Sequence, residues 1–222
     1  MIEARQQILA SVRRALGRDR TPGDPSVIAQ HIAAHGRGPQ PRRSQGDHAA
    51  LVERFIGMAS EASATVESVA SDAAVPAAVS DFLGRENLPA RLVASPALRP
   101  LSWDERPLLD IRFGPPEDKD LVALTPSLAG IAETGTLMLV SGSDTPSTLA
   151  FLPAVHVALL RKRDIVGAYE DGWERMRAAA AEGKPPRSVN FITGPSRTAD
   201  IEQRLLLGAH GPRRLHIILI DG

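Results

Sequence analysis

The sequence predicts an α/β fold, a mostly parallel sheet flanked by helices, with an N-terminal helical extension. Three observations predict it. A chain of 222 residues is long enough to bury one large core. From Asp47 onward, short apolar runs alternate with segments whose apolar residues recur at helical spacing. The run Leu215 to Ile220 is almost continuously apolar, as in a parallel strand covered on both faces.

In residues 2–16, Ile8, Leu9, Val12 and Leu16 recur at helical spacing before a terminating Gly17. Residues 17–46 are rich in Gly, Pro and Arg, interrupted by a weak helical segment around Val27 to Ala34, and read as a linker. The expected organisation is therefore a helix and linker over 1–46 and an α/β domain over 47–222. Leu51, Val52, Phe55 and Ile56 form a helical face, and Thr65 to Ala70 alternates like a strand. Asp72 can cap a helix carrying Val75, Val79, Phe82 and Leu83 and ended by Gly84, with a short strand at Leu92 to Ala94. Residues 96–118 read as loop-heavy. Strands are expected at Leu121 to Leu124, Thr136 to Val140 and His156 to Leu160. Asp164 is the expected cap of a helix bearing Ile165, Tyr169, Trp173 and Met176 and closed by Gly183. The last unit reads strand Val189 to Thr193, helix Ala199 to Leu207, strand Leu215 to Ile220: a βαβ order.

Twenty-six basic residues balance 26 acidic ones, so no excess cationic field attracts nucleic acid or an anionic membrane surface. The absence of cysteine excludes disulfides, a thiol nucleophile and a cysteine-ligated iron–sulfur cluster held by this chain. No apolar run reaches the roughly 20 residues of a membrane-spanning helix. Charged residues interrupt every N-terminal apolar stretch, so a secretory signal is not expected and a cytoplasmic location is.

Two loops carry candidate chemistry. In Gly130-Ile131-Ala132-Glu133-Thr134-Gly135-Thr136, a carboxylate and two hydroxyls lie between glycines at the entry to a buried strand. Glu133 there can act as base, nucleophile or acceptor for a ligand hydroxyl, or can cap the turn or pair with an arginine. Thr134, Gly135 and Thr136 are the accompanying binding candidates. In Thr193-Gly194-Pro195-Ser196-Arg197-Thr198-Ala199-Asp200, a strand is expected to pass into a helix. Free backbone N–H groups and the helix dipole would meet there, with Gly194, Ser196, Arg197 and Thr198 holding a carboxylate or phosphate. Ser196 or Thr198 as a plain N-cap, with Asp200 complementing the dipole, is the competing reading. His156 and His210 lie near strand ends. No metal-ligand spacing joins them to Glu133 or Asp200, so no metal is assigned. His216 reads as a hydrogen-bonded core histidine. The loop matches neither GxxxxGK[ST] nor GxGxxG, and no GxSxG elbow supports a Ser196–His210–Asp200 hydrolase.

Residues 130–136, Leu152-Pro153-Ala154-Val155-His156, residues 193–202 and Gly208-Ala209-His210-Gly211-Pro212 together resemble the LUD-domain family, in its lactate-utilisation protein C branch. The likeness is strongest over about residues 120–222. It implies a fold similar to the ribose-phosphate isomerase and CoA-transferase group. It further implies a part in NAD-independent oxidation of L-lactate to pyruvate, beside an iron–sulfur subunit and a cysteine-rich subunit that conduct the electrons. On that reading this chain holds no cofactor and binds substrate or organises the complex. Arg197 and the 194–198 loop would hold the lactate carboxylate, with His210 beside them, and His156 or Glu133 would take the hydroxyl proton. The alternative is an acyl-transfer or sugar-phosphate enzyme with Glu133 as nucleophile or base.

Overall fold

The computed structural model describes residues 2–17, 25–180, 184–198, 206–208 and 210–221. The chain divides into two compact units, Met1–Pro39 and Gln40–Gly222. In the first, α1 (Ile2–Ala15) and α2 (Pro25–Ala34) form where the apolar spacing predicted helix. Their apolar stripes, Ile8, Leu9 and Val12 on α1 with Leu16 just past its end, and Val27, Ile28 and Ile32 on α2, are exposed.

The second unit begins ahead of Asp47. Arg42–Ser44 forms a short 3-10 turn, Ser44 is buried, and Arg43 reaches Glu133. Asp47 then caps α3 (His48–Glu61) by accepting from the Ala50 N–H at 2.9 Å. Next come β1 (Thr65–Val69), α4 (Val75–Arg85), β2 (Arg91–Ala94), β3 (Asp110–Phe113) and β4 (Val122–Pro126). A hairpin of β5 (Ala129–Ile131) and β6 (Thr136–Val140) leads to β7 (Val155–Arg161), β8 (Ile165–Val166) and α5 (Tyr169–Ala179). The last elements are β9 (Val189–Ile192), β10 (Arg197–Thr198), β11 (Leu206–Leu207) and β12 (Arg214–Ile220).

Six strands make an all-parallel sheet in the order β1-β12-β7-β4-β2-β3. The apolar run of β12 lies between β1 and β7, both faces covered, as its composition predicted. One face, through Leu124, Val157, Leu159, Ile218 and Ile220, packs on Val75, Val79, Phe82 and Leu83 of α4. The other, through Ala158, Leu160, Ile217 and Leu219, takes Phe55 and Ala59 of α3 together with Leu137 and Leu139 of β6. That β6 belongs to a second sheet, β8-β5-β6-β9, whose far side brings Met138 against Met176 of α5. The architecture is thus α/β, with a mostly parallel sheet between helices.

Several local expectations are corrected. Asp72 is no helix cap: it lies in a 3-10 turn, accepts from Arg161 at 2.7 Å, and α4 runs one residue past Gly84. Within the loop-heavy stretch 96–118, one strand was not anticipated: β3 pairs with β2 at the sheet edge. Asp164 starts no helix; it takes Arg175, β8 follows, and α5 begins after Ala168. Gly183, its expected end, lies outside the described residues. The terminal βαβ unit is not formed. β9 pairs antiparallel with β6 in the second sheet, while β12 pairs with β1 and β7. Of the helix expected over 199–207, Leu206–Leu207 is strand paired with Arg197–Thr198, and 199–205 lie outside the described residues.

Candidate functional site

A cleft of ≈ 250 Å³ opens where the chain enters β7 and β12. Phe151 comes from the turn before β7 and His156 from the start of that strand, Thr193 and Ser196 from the turn after β9, and His210 and Pro212 from the turn before β12. The cleft therefore sits at the amino ends of β7 and β12 and at the carboxyl end of β9.

His156 is fully buried in its wall. The parallel register sets Ala123 beside His156, so Thr125, two residues along β4, lies on the same face. Thr125 Oγ1 and His156 Nε2 are 2.8 Å apart, and His156 Nδ1 has no partner among the described residues. Burial lowers its pKa to about 4, so the imidazole is neutral at pH 7. Thr125 escaped sequence reasoning because only strand pairing brings it to His156.

The turn joining β5 to β6 carries the first candidate group. Glu133 is buried and accepts from Arg43 Nη2 at 3.0 Å, while its N–H donates to the Gly167 carbonyl. The arginine-pairing alternative is the one realised, and Glu133 does not line the cleft. Thr134 and Thr136 instead reach towards it. Thr136 Oγ1 lies 2.6 Å from Thr134 Oγ1 and 2.6 Å from Thr193 Oγ1 on the cleft wall, and Tyr169 Oη lies 2.9 Å from Thr134 Oγ1. Tyr169 and Thr193 complete a hydroxyl cluster that the sequence did not reveal. Gly135 (φ 64°) and Gly194 (φ 68°) both press on the end of α3. A Cβ on the first would overlap the Ala59 backbone nitrogen, and on the second the Ala62 carbonyl oxygen.

The second loop differs most from expectation. It runs into the β10–β11 ribbon, so Arg197 and Thr198 are strand residues, and the helix start expected at Ala199 lies outside the described residues. The Ser196 N–H donates to the Pro212 carbonyl, and the Ser196 carbonyl accepts from the Gly208 N–H. The Arg197 guanidinium donates to the Ala62 carbonyl and to Ser63 Oγ, capping the end of α3. Ser196 and exposed His210 line the cleft with Gly194. Asp200 and the Thr198 side chain lie outside the described residues.

His216 is buried on the opposite face of the sheet. It is the direct register partner of Thr65, bonds Thr65 Oγ1 through Nδ1 at 2.7 Å and stacks on Phe82 at 4.0 Å. Burial also lowers its pKa to about 4, against the upward pull of Glu67. Among the described residues no group of three His, Asp or Glu side chains is arranged to hold a metal ion, and no helix is long and apolar enough to cross a membrane.

The family model of the LUD domain matches residues 121–220, the stretch that supplies the whole cleft. Lactate utilization protein C of Deinococcus radiodurans is 29% identical over 98% of this chain and 96% of its own length. The protein of the same name from Shouchella clausii is 35% identical over 45% of this chain, and the chain spans only 44% of that relative's length. An uncharacterized protein of Neisseria meningitidis is 43% identical over 41% of this chain and 38% of its own. Among solved structures, a DUF162 family protein from Deinococcus radiodurans superposes with a TM-score of 0.62 at 26% identity, covering 80% of this chain and all of that one.

Proposed function

The chain belongs to the LUD-domain family, and from that premise we propose that it serves lactate utilisation, as a cytoplasmic subunit that binds the small carboxylate in the cleft at His156. Its partners on this reading are an iron–sulfur and a cysteine-rich subunit, which take the electrons of a NAD-independent oxidation of L-lactate to pyruvate. The observation that carries the proposal is the convergence of Ser196, His210 and His156 on one ≈ 250 Å³ cleft within the family-matched stretch. That volume lies below the ~300–1,000 Å³ of pockets for drug-sized ligands and suits a small acid.

The oxidation removes two electrons and two protons from lactate. Ser196 and His210 supply donors for the carboxylate at the mouth, and neutral His156 offers a ring nitrogen lone pair as proton acceptor. The exposed stripes of α1 and α2 offer apolar surface for organising the partners. Arg197 and Glu133, committed to the end of α3 and to Arg43, take no part in holding the substrate.

The test is lactate-dependent dye reduction by the reconstituted redox partners, with and without this chain. Activity should require the chain, fall at least tenfold with Ser196→Ala or His156→Gln, and persist with Glu133→Gln. Activity indifferent to the chain would sink the proposal. Loss with Glu133→Gln alone would move the proton acceptor from His156 to Glu133.

A further inference from the structure

A second, smaller cavity of ≈ 80 Å³ lies at the other end of the parallel sheet. Its walls come from the carboxyl ends of four neighbouring strands. Asp72 follows β1, Ile220 ends β12, Leu159 and Arg161 end β7, and Pro126 and Ser127 stand at the end of β4. Ligands of open parallel sheets collect at this end, where backbone turns leave room between successive strand exits. Leu98 and Leu101 close the cavity with apolar surface.

Two of its polar atoms are buried without a hydrogen-bond partner among the described residues: Asp72 Oδ1 and Ser127 Oγ. A buried polar atom left unpaired costs roughly 1–3 kcal/mol, so two on one cavity wall mark a place where something else completes the pairing. The ionic groups there are balanced. Asp72 Oδ2 accepts from Arg161 at 2.7 Å, and Asp164 is held by Arg175. A cationic ligand would therefore meet a carboxylate already neutralised, and an anionic one would meet Asp72 and Asp164. What remains unmet is one acceptor and one hydroxyl against an apolar wall.

We propose that this cavity binds a small neutral polyol through two of its hydroxyls, one donating to Asp72 Oδ1 and the other exchanging a hydrogen bond with Ser127 Oγ, while its carbon chain lies on Leu98, Leu101 and Leu159. The site is separate from the lactate cleft and shares no lining residue with it. Its occupancy stands or falls independently of the lactate reading.

Saturation-transfer NMR on the full chain with glycerol, 1,2-propanediol and 1-propanol tests it. The Ser127 hydroxyl bonds nothing among the described residues, so Ser127→Ala removes a ligand partner without removing a fold contact. The two polyols should give a transfer signal and 1-propanol none, with the polyol affinity falling about tenfold in Ser127→Ala. Signals that survive Ser196→Ala would separate this cavity from the cleft. An equal response to 1-propanol, no signal from any probe, or an unchanged affinity in Ser127→Ala would overturn the proposal.

Discussion

His156 and His216 sit on opposite faces of one sheet, each bonded to a threonine from a neighbouring strand and each kept neutral by burial. Their folded-state pKa of about 4 lies below the ordinary 6.5, so the unfolded chain takes up their protons first. The stability they confer is complete above about pH 6.5 and is lost as pH falls towards 4, on the order of 3 kcal/mol for each. Urea unfolding between pH 7.5 and 4.5 should show a falling midpoint, and His156→Gln should flatten that slope. Equal slopes in wild type and variant would show that His156 does not drive the acid sensitivity.

At the scale of elements, the C-terminal end of α3 is where both candidate loops are anchored. Gly135 and Gly194 approach its backbone, and Arg197 donates to the Ala62 carbonyl and the Ser63 hydroxyl just past its end. Arg197→Ala should lower stability by about 1 kcal/mol in thermal or urea unfolding. Lactate affinity measured by calorimetry should stay within twofold of wild type, whereas a large loss of affinity with unchanged stability would return Arg197 to the substrate. Sequence periodicity revealed α1, α3, α4, β1 and β12, because each carries its own apolar pattern. It missed β3, too short and polar at the sheet edge to stand out, and β5, where Gly130 looked like part of a turn. It misassigned β9 because adjacency along the chain suggested βαβ pairing, whereas β6 and β1 supplied the real neighbours of β9 and β12. The site was legible to the same extent. Ser196, His156 and His210 share a cleft as loop residues near strand ends can, but the partners of Arg197 and Glu133 lie far away in sequence and left no local mark.

At the scale of the whole molecule, the cores around α3, α4 and α5 are built entirely from residues after Pro39. A fragment of residues 40–222 should therefore keep its cooperative melting transition within a few degrees of the full chain, and loss of that transition would show that the first unit is needed for folding. The placement of β12 has a consequence for how the protein is made. Among the described residues β1 pairs only with β12, the last described strand. During synthesis at about 5–20 residues per second, the edge of β1 stays open for on the order of 10 s, until its neighbour leaves the ribosome. The nascent chain carries an unpaired strand through that interval, so the demand on holding chaperones falls late in translation, and a ribosome stalled just short of β12 would present them with a sheet unable to close.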